Sequence, residues 1–171
     1  MSANEPGQFE RVVLPHLDAA YNLARWLAGN DHDAEDIAQE ACVRAFRFLG
    51  GYRGGDARAW LLAIVRNTAF SWLKRNRARE MVAIDDDVLT EIEDKNLGAD
   101  SFFSADKNEL RAALAALPLE FREALVLREL EGLSYKEIAQ IAEVPVGTVM
   151  SRLARARRQL QNHFVQREGK T

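Results

Sequence analysis

Four arginines lie within one short stretch near the C-terminus, at Arg152, Arg155, Arg157 and Arg158. A guanidinium group presents several N–H donors in a planar fork, which matches phosphate oxygens and the exposed edge of guanine. No acidic residue interrupts the chain from Val144 to Arg167. Because a solvated helix face ordinarily mixes both signs of charge, this distribution predicts a surface that binds a polyanion.

A second stretch without acids, Ala57 to Arg79, holds six basic residues. At helical spacing Trp60, Asn67, Ser71 and Lys74 share one face of it, with Arg66, Phe70 and Arg77 beside them. Proteins bind single-stranded nucleic acid through aromatic rings that stack on its bases and cations that contact its phosphate backbone. The amide of Asn67 offers a donor and an acceptor to a base edge. The rings of Trp60 and Phe70 suit a protein core equally well, and that alternative stays open.

A cluster of carboxylates at Asp31, Asp33, Glu35 and Asp36 raises the alternative of an enzyme site. Acids also gather at helix N-termini, where Asp33 is the predicted N-cap. Three histidines lie far apart, and Cys42 is the single cysteine, so spacing predicts neither a metal motif nor a nucleophile–base pair. We therefore expect capping rather than catalysis, with no metal and no cofactor.

Helical periodicity dominates the 171 residues, and no segment alternates as a strand does. The pattern predicts an all-α fold of two small helical domains joined by an acidic linker. We place the domains at 1–80 and 107–171, with a helix-turn-helix in the second. Residues 81–106 carry eight acids against one lysine and lack an amphipathic stripe, so they are predicted to be the linker.

The helix-turn-helix prediction depends on local signals between Leu133 and Leu160. Ser134 and Glu137 are spaced as a capping box, and a proline follows near the start of the next helix. On that next helix one apolar stripe must face the core: Val149, Leu153, Ala156 and Leu160. The opposite side is slim and polar and suits the major groove of DNA, through Gly147, Ser151, Ala154, Arg155 and Arg158. The plainer alternative is a basic, solvated helix of an all-α core.

The stretch "LPLEFREALVLRELEGLSYKEIAQIAEVPVGTVMSRLARARRQL" resembles region four of the extracytoplasmic-function sigma factors, which are compact bacterial initiation factors. In that family the module reads the minus-thirty-five promoter element and touches the polymerase flap. The resemblance implies DNA contacts at Arg128, Pro145, Thr148, Met150, Ser151, Ala154, Arg155 and Arg157. Helix geometry adds Arg158 to this set.

The first eighty residues resemble region two of the same family. The run "DAEDIAQEACVRAF" is similar to the part that binds the clamp helices of polymerase, which implies docking through Asp36, Gln39, Glu40, Val43 and Arg47. The run "DARAWLLAIVRNTAFSWLKRNRAR" is similar to the part that captures a flipped base of the minus-ten element. Its implied contacts, among which Asn67 is the best candidate for reading that base, are Tyr52, Arg53, Asn67, Ser71 and Lys74.

The resemblance implies a non-enzymatic initiation factor that brings core RNA polymerase to promoter DNA, with an anti-sigma factor as a further partner and no small-molecule substrate. The N-terminal stretch shows no signal-peptide pattern, and no apolar run is long enough to span a bilayer. We therefore expect a cytoplasmic protein. A free-standing helix-turn-helix regulator is the alternative function, but it assigns no role to residues 1–80.

Overall fold

The computed structural model describes the backbone of residues 7–83 and 102–168, and the side chains of residues 7–76 and 107–166. These residues form helices and turns and include no strand, so the all-α prediction is confirmed. The helices are α1 (Gln8–Val12), α2 (Leu17–Ala28), α3 (Asp31–Phe48), α4 (Ala57–Ala83), α5 (Phe102–Ala116), α6 (Leu119–Leu125), α7 (Tyr135–Ala142) and α8 (Val146–Glu168). Short 3₁₀ turns cover Leu14–His16 and Leu49–Gly51, and α6 continues as a π-helical turn over Val126–Leu130.

Helices α1 to α4 form an N-terminal module in which α2 packs on both α3 and α4. Gly29 ends α2 in the left-handed conformation, with φ 85°, and its N–H donates to the Arg25 carbonyl at 2.9 Å. Gly29 is therefore the C-cap of α2. The predicted N-cap of α3 is wrong, because Asn30 takes that place and its side-chain oxygen accepts from the Asp33 N–H at 2.8 Å. Asn30 is extended directly after the glycine, so the helix begins earlier, at Asp31.

Helices α5 to α8 form a C-terminal module in which α6 and α7 pack on α8. Ser134 and Glu137 make the predicted capping box: the Ser134 hydroxyl accepts from the Glu137 N–H at 3.1 Å, and the Glu137 carboxylate accepts from the Ser134 N–H at 2.9 Å. Leu133 and Ile138 flank this cap and are both buried. The turn to α8 passes through Glu143, whose left-handed φ of 57° reverses the chain. The capping box, the buried pair Leu133 and Ile138 and the turn at Glu143 together fix the angle at which α8 leaves α7.

The predicted acidic linker lies largely outside the described residues. Its first three residues continue the backbone of α4 to Ala83, and its last five belong to α5, which begins at Phe102. The intervening residues 84–101 are not described. The division into residues 1–80, 81–106 and 107–171 therefore stays a prediction.

The two modules pack against each other, which the sequence patterns did not lead us to expect. Helix α4 contacts α7, and α2 contacts α5 and α6. One continuous set of buried apolar side chains runs through both modules, from Leu23 and Leu62 in the first to Leu127 and Leu153 in the second. Apolar burial at such a contact is the main favourable term that holds the modules together.

Replacement of Ser134 by alanine is expected to lower the free energy of unfolding by about 1 kcal/mol, because the Glu137 N–H loses its acceptor. Urea denaturation of the two proteins measures the difference. Ser71→Ala, at an exposed position in the middle of α4, is the matched control and should change stability little. Equal stability of Ser134→Ala and the parent chain would show that the cap contributes nothing.

Candidate nucleic-acid interface

Helix α8 presents an exposed cationic face opposite its buried stripe. Val149, Leu153 and Ala156 are buried to 1% exposure or less, which fixes the rotation of the helix about its own axis. The predicted outer positions consequently face solvent, and all five are exposed: Gly147, Ser151, Ala154, Arg155 and Arg158. Slim residues near the helix start and guanidinium groups further along give the shape and charge that enter a major groove.

Arg157, at the flank of α8, is held by a neighbouring acid. Its guanidinium donates to the Glu129 carboxylate at 2.6 Å, and this hydrogen bond raises the pKa of Arg157. Both side chains are about half exposed. A phosphate contact by Arg157 would therefore require exchange of one anionic partner for another, at little cost since surface ion pairs are weak.

Arg128 lies inside the helix-turn-helix rather than on its outer face. It donates to the Leu133 carbonyl at 2.9 Å, and its guanidinium lies 4.6 Å from the centre of the Tyr135 ring. These contacts tie α6 to the start of α7. The remaining predicted positions differ in exposure: Pro145 and Met150 are exposed, and Thr148 is half-buried with its carbonyl accepting from the Ser151 hydroxyl at 3.2 Å.

Helix α4 carries the second predicted surface. Asn67, Ser71 and Lys74 are all exposed on one face, as the spacing predicts. Trp60 is half-buried against the core and Phe70 is 9% exposed, so Phe70 is a core residue. The approach to α4 is fixed by Asp56, whose carboxylate accepts from the Ala59 N–H at 3.1 Å.

The loop before α4 places Tyr52 and Arg53 near the start of this face. The Tyr52 hydroxyl donates to the Gly55 carbonyl at 2.6 Å, and its ring lies 5.3 Å from that of Trp60. These two contacts hold the loop against α4. Arg53 is exposed, and its guanidinium extends the positive charge of α4 into the loop.

The predicted docking face lies on α3. Asp36, Gln39 and Arg47 are exposed, and Val43 is 52% exposed between them. Glu40 is held by two cations, Arg44 at 3.4 Å and Arg75 of α4 at 3.5 Å. Burial raises the pKa of Cys42 on the same helix, so its thiol stays protonated and acts as a small apolar side chain.

Two acids of the alternative enzyme site, Asp31 and Asp33, lie in the first turn of α3 and are paired there. Asp31 accepts from Arg25 at 2.9 Å, and Asp33 accepts from the Asn30 side chain at 2.9 Å. Among the described residues, no group of three or more histidine, cysteine, aspartate or glutamate side chains is arranged to hold a metal. Within the same residues, no helix is both long and apolar enough to cross a membrane.

The sequence patterns missed one buried acid and its pairing with Arg66, which helical spacing had placed beside the predicted nucleic-acid face. Glu123 of α6 is 1% exposed, and its carboxylate accepts from Arg66 of α4. Burial raises the pKa of Glu123, because lost hydration outweighs the hydrogen bond from Arg66. The available signal was Glu123 within the apolar run "REALVL", where a lone acid interrupts a core stripe.

Both halves of the chain match known families. Residues 12–79 match Sigma-70 region 2, and residues 107–160 match Sigma-70, region 4. The chain is 40% identical over 167 residues to the ECF RNA polymerase sigma factor SigE of Mycolicibacterium smegmatis, covering 95% of this chain and 64% of that protein. It is 36% identical over 149 residues to the ECF RNA polymerase sigma-E factor of Haemophilus influenzae, covering 82% and 78% respectively.

The fold is similar to that of the sigma factor RpoE of Bartonella quintana, solved in complex with the anti-sigma factor NepR. The TM-score is 0.73 with 28% identity, covering 92% of this chain and 97% of that one. Fold and site thus define a helical two-module protein with a helix-turn-helix, an exposed arginine-rich face on α8 and an exposed polar face on α4. The chain belongs to the extracytoplasmic-function sigma factor family of RNA polymerase. It spans 64% of the length of the mycobacterial relative.

Because Asp56 is an ionisable cap of α4, we expect the stability of the protein to depend on pH. The hydrogen bond from the Ala59 N–H lowers the pKa of Asp56 in the folded chain. The contribution of this cap to the free energy of unfolding is therefore complete above the pKa of about 3.9 that Asp has in the unfolded chain. It is lost as the pH falls through the lower pKa of the folded chain. Asp56→Ala should reduce the free energy of unfolding by about 1 kcal/mol at pH 7. That difference should narrow steadily below about pH 4.

Thermal denaturation of both proteins between pH 7 and pH 2 measures this narrowing. Asp56→Asn is the matched control, since it keeps an acceptor for the Ala59 N–H but has no charge to lose. If the difference in stability between Asp56→Ala and the parent chain stayed constant with pH, the assignment of the Asp56 carboxylate as the cap of α4 would be contradicted.

Proposed function

We propose that this chain binds core RNA polymerase and directs it to particular promoters by two DNA contacts, one from each module. The observation that carries the proposal is the exposed arginine-rich face of α8 together with the exposed Asn67, Ser71 and Lys74 of α4, within a chain of net charge −3. Two weak contacts on one chain gain affinity through effective concentration. Such a role requires no bond to be made or broken, so we assign no catalytic residue.

The minus-thirty-five element is proposed to be read by the outer face of α8. Arg155 and Ser151 are directed to base edges, with Arg157 and Arg158 at the phosphates. The support is geometric: the buried stripe orients these side chains outward, and slim residues at 147 and 154 let the backbone approach the groove. Arg128, Pro145, Thr148 and Met150 complete the proposed contact set. The half-buried position of Arg128 gives it the role of supporting the turn beside its implied contact.

The minus-ten element is proposed to bind α4 as a single strand. Asn67 is assigned the flipped base, while Ser71 and Lys74 are assigned the adjoining backbone. Exposure of all three on one face supports the assignment. Tyr52 and Arg53 flank that face from the preceding loop, where the Tyr52 ring lies against Trp60.

Polymerase is proposed to dock on α3. An exposed valine surrounded by polar side chains is the composition of a protein-binding surface, and Val43 lies among Asp36, Gln39, Glu40 and Arg47. Because core polymerase and promoter DNA are cytoplasmic, we propose that the chain acts in the cytoplasm. A relative of similar fold was solved with an anti-sigma factor, so we propose that this chain also has such a partner.

Run-off transcription tests the function directly. Purified core polymerase plus this chain is expected to start RNA at a defined subset of fragments in a genomic library, whereas core alone is not. A free-standing regulator would bind DNA without changing where core polymerase starts. That result would contradict the proposal.

Arg155→Ala is expected to lose about 1–3 kcal/mol of discrimination at one upstream base pair, since a bidentate contact to guanine disappears. Arg155→Lys is the matched control, because it keeps the positive charge and loses the fork. Binding of promoter duplexes that carry each single substitution measures the effect. Equal losses on all sequences for the alanine variant, restored by lysine, would reassign Arg155 to a phosphate.

A further inference from the structure

Three exposed apolar side chains follow one another along α8, the second helix of the helix-turn-helix. Val146 begins the helix and is 40% exposed, Met150 is 54% exposed, and Ala154 is exposed one turn further on. Because positions four apart are neighbours on a helix surface, these side chains form one continuous row, which we call the apolar row. The row starts beside the buried stripe and ends on the outer face, where Arg157 and Arg158 are its next neighbours.

The chemistry of the apolar row differs from that of the arginines on the same helix. A contact with a phosphate oxygen or with the edge of guanine requires a hydrogen-bond donor, and none of these three side chains carries one. An apolar side chain gains free energy only by removing another apolar group from water. In the major groove of DNA, the apolar group that a base pair presents is the C5-methyl group of thymine.

The position of the row in α8 suits a contact with bases. In helix-turn-helix proteins, the residues near the start of the second helix contact base edges. Gly147 lies in that first turn, and a Cβ built there would meet no described atom within 4 Å, so the backbone at the helix start is open to a close approach. Met150 follows in the next turn, and its unbranched, polarisable thioether adapts to an irregular apolar surface.

We propose that the apolar row reads thymine, with Val146 and Met150 packed on C5-methyl groups in the major groove of the upstream element. This inference rests on the proposed function and adds a base preference to it. Arg155 is proposed to contact guanine from the same helix, so the element is expected to combine guanine with thymine. Charge favours DNA over a protein as the occupant, because four arginines and no acid lie between Val144 and Arg167.

Replacement of thymine by 2′-deoxyuridine tests the proposal, because it removes the C5-methyl group and keeps the base pair. The probe is a promoter fragment recovered in the run-off transcription experiment, with each thymine of its upstream element replaced in turn. Competition binding to core polymerase assembled with this chain measures the effect. Removal of a contacted methyl group is expected to weaken binding about fourfold, the factor for one buried methyl group.

Variants of Met150 assign the methyl effect to the apolar row. Met150→Gln keeps the length of the side chain and replaces its apolar end by an amide, so it should bind the thymine and deoxyuridine fragments equally at one position. Met150→Leu is the matched control, since it stays apolar at nearly the same volume and should keep the preference for thymine. Val165→Gln alters a valine that is 64% exposed towards the other end of α8, and it should behave as the parent chain does.

Two results would overturn the proposal: equal binding of every thymine and deoxyuridine fragment by the parent chain, or a methyl effect that Met150→Gln leaves unchanged. If Met150→Gln instead weakened assembly with core polymerase and the parent showed no methyl effect, the apolar row would be a protein contact. Failure of the parent chain to direct core polymerase to any fragment of the library would contradict the proposed function itself, before any thymine is replaced.

Discussion

A carboxylate that is removed from water must find a partner, and this requirement determines how the two modules lie against each other. Glu123 is 1% exposed, and the cation that satisfies it comes from the other module. Such a pair contributes little net stability, because lost hydration offsets attraction, yet removing one member leaves a buried charge unpaired. The apolar contact between α4 and α7 and the contacts of α2 supply the attraction. The ion pair then selects one orientation among those that apolar packing alone would allow.

That orientation leaves the candidate binding faces outside the contact between modules. Each helix uses its apolar stripe for the core, so its opposite side is turned outward: Val43 on α3, Ser71 on α4 and Arg155 on α8 are all exposed. The contact between modules therefore leaves these three positions open to solvent.

Local features of the fold were predictable because their causes are local. The capping box at Ser134, the stripe that includes Leu153 and the end of α2 at Gly29 depend on residues within a few positions of each other. The N-cap of α3 was mispredicted because two neighbouring residues, Asn30 and Asp33, both suit a cap, and the preceding glycine decides between them. Such a choice depends on backbone geometry that the spacing of side chains does not contain.

The contact between modules was not predictable in the same way. Glu123 and Arg66 are 57 positions apart, and no periodicity links them. The exposure of Asn67, Lys74 and Arg155 followed from helical spacing, since a stripe that is buried fixes the face that is not. The base or partner that each exposed side chain contacts depends on a second molecule, and those assignments rest on family resemblance and on proposal.

Small-angle X-ray scattering of the free chain tests the packing of the two modules most directly. If the modules pack in solution as they do here, the radius of gyration is expected to be about 16 Å, with the single-peaked distance distribution of one compact body. A substantially larger radius with a second maximum in that distribution would show two separated modules. That result would contradict the central role given to the contact between Arg66 and Glu123.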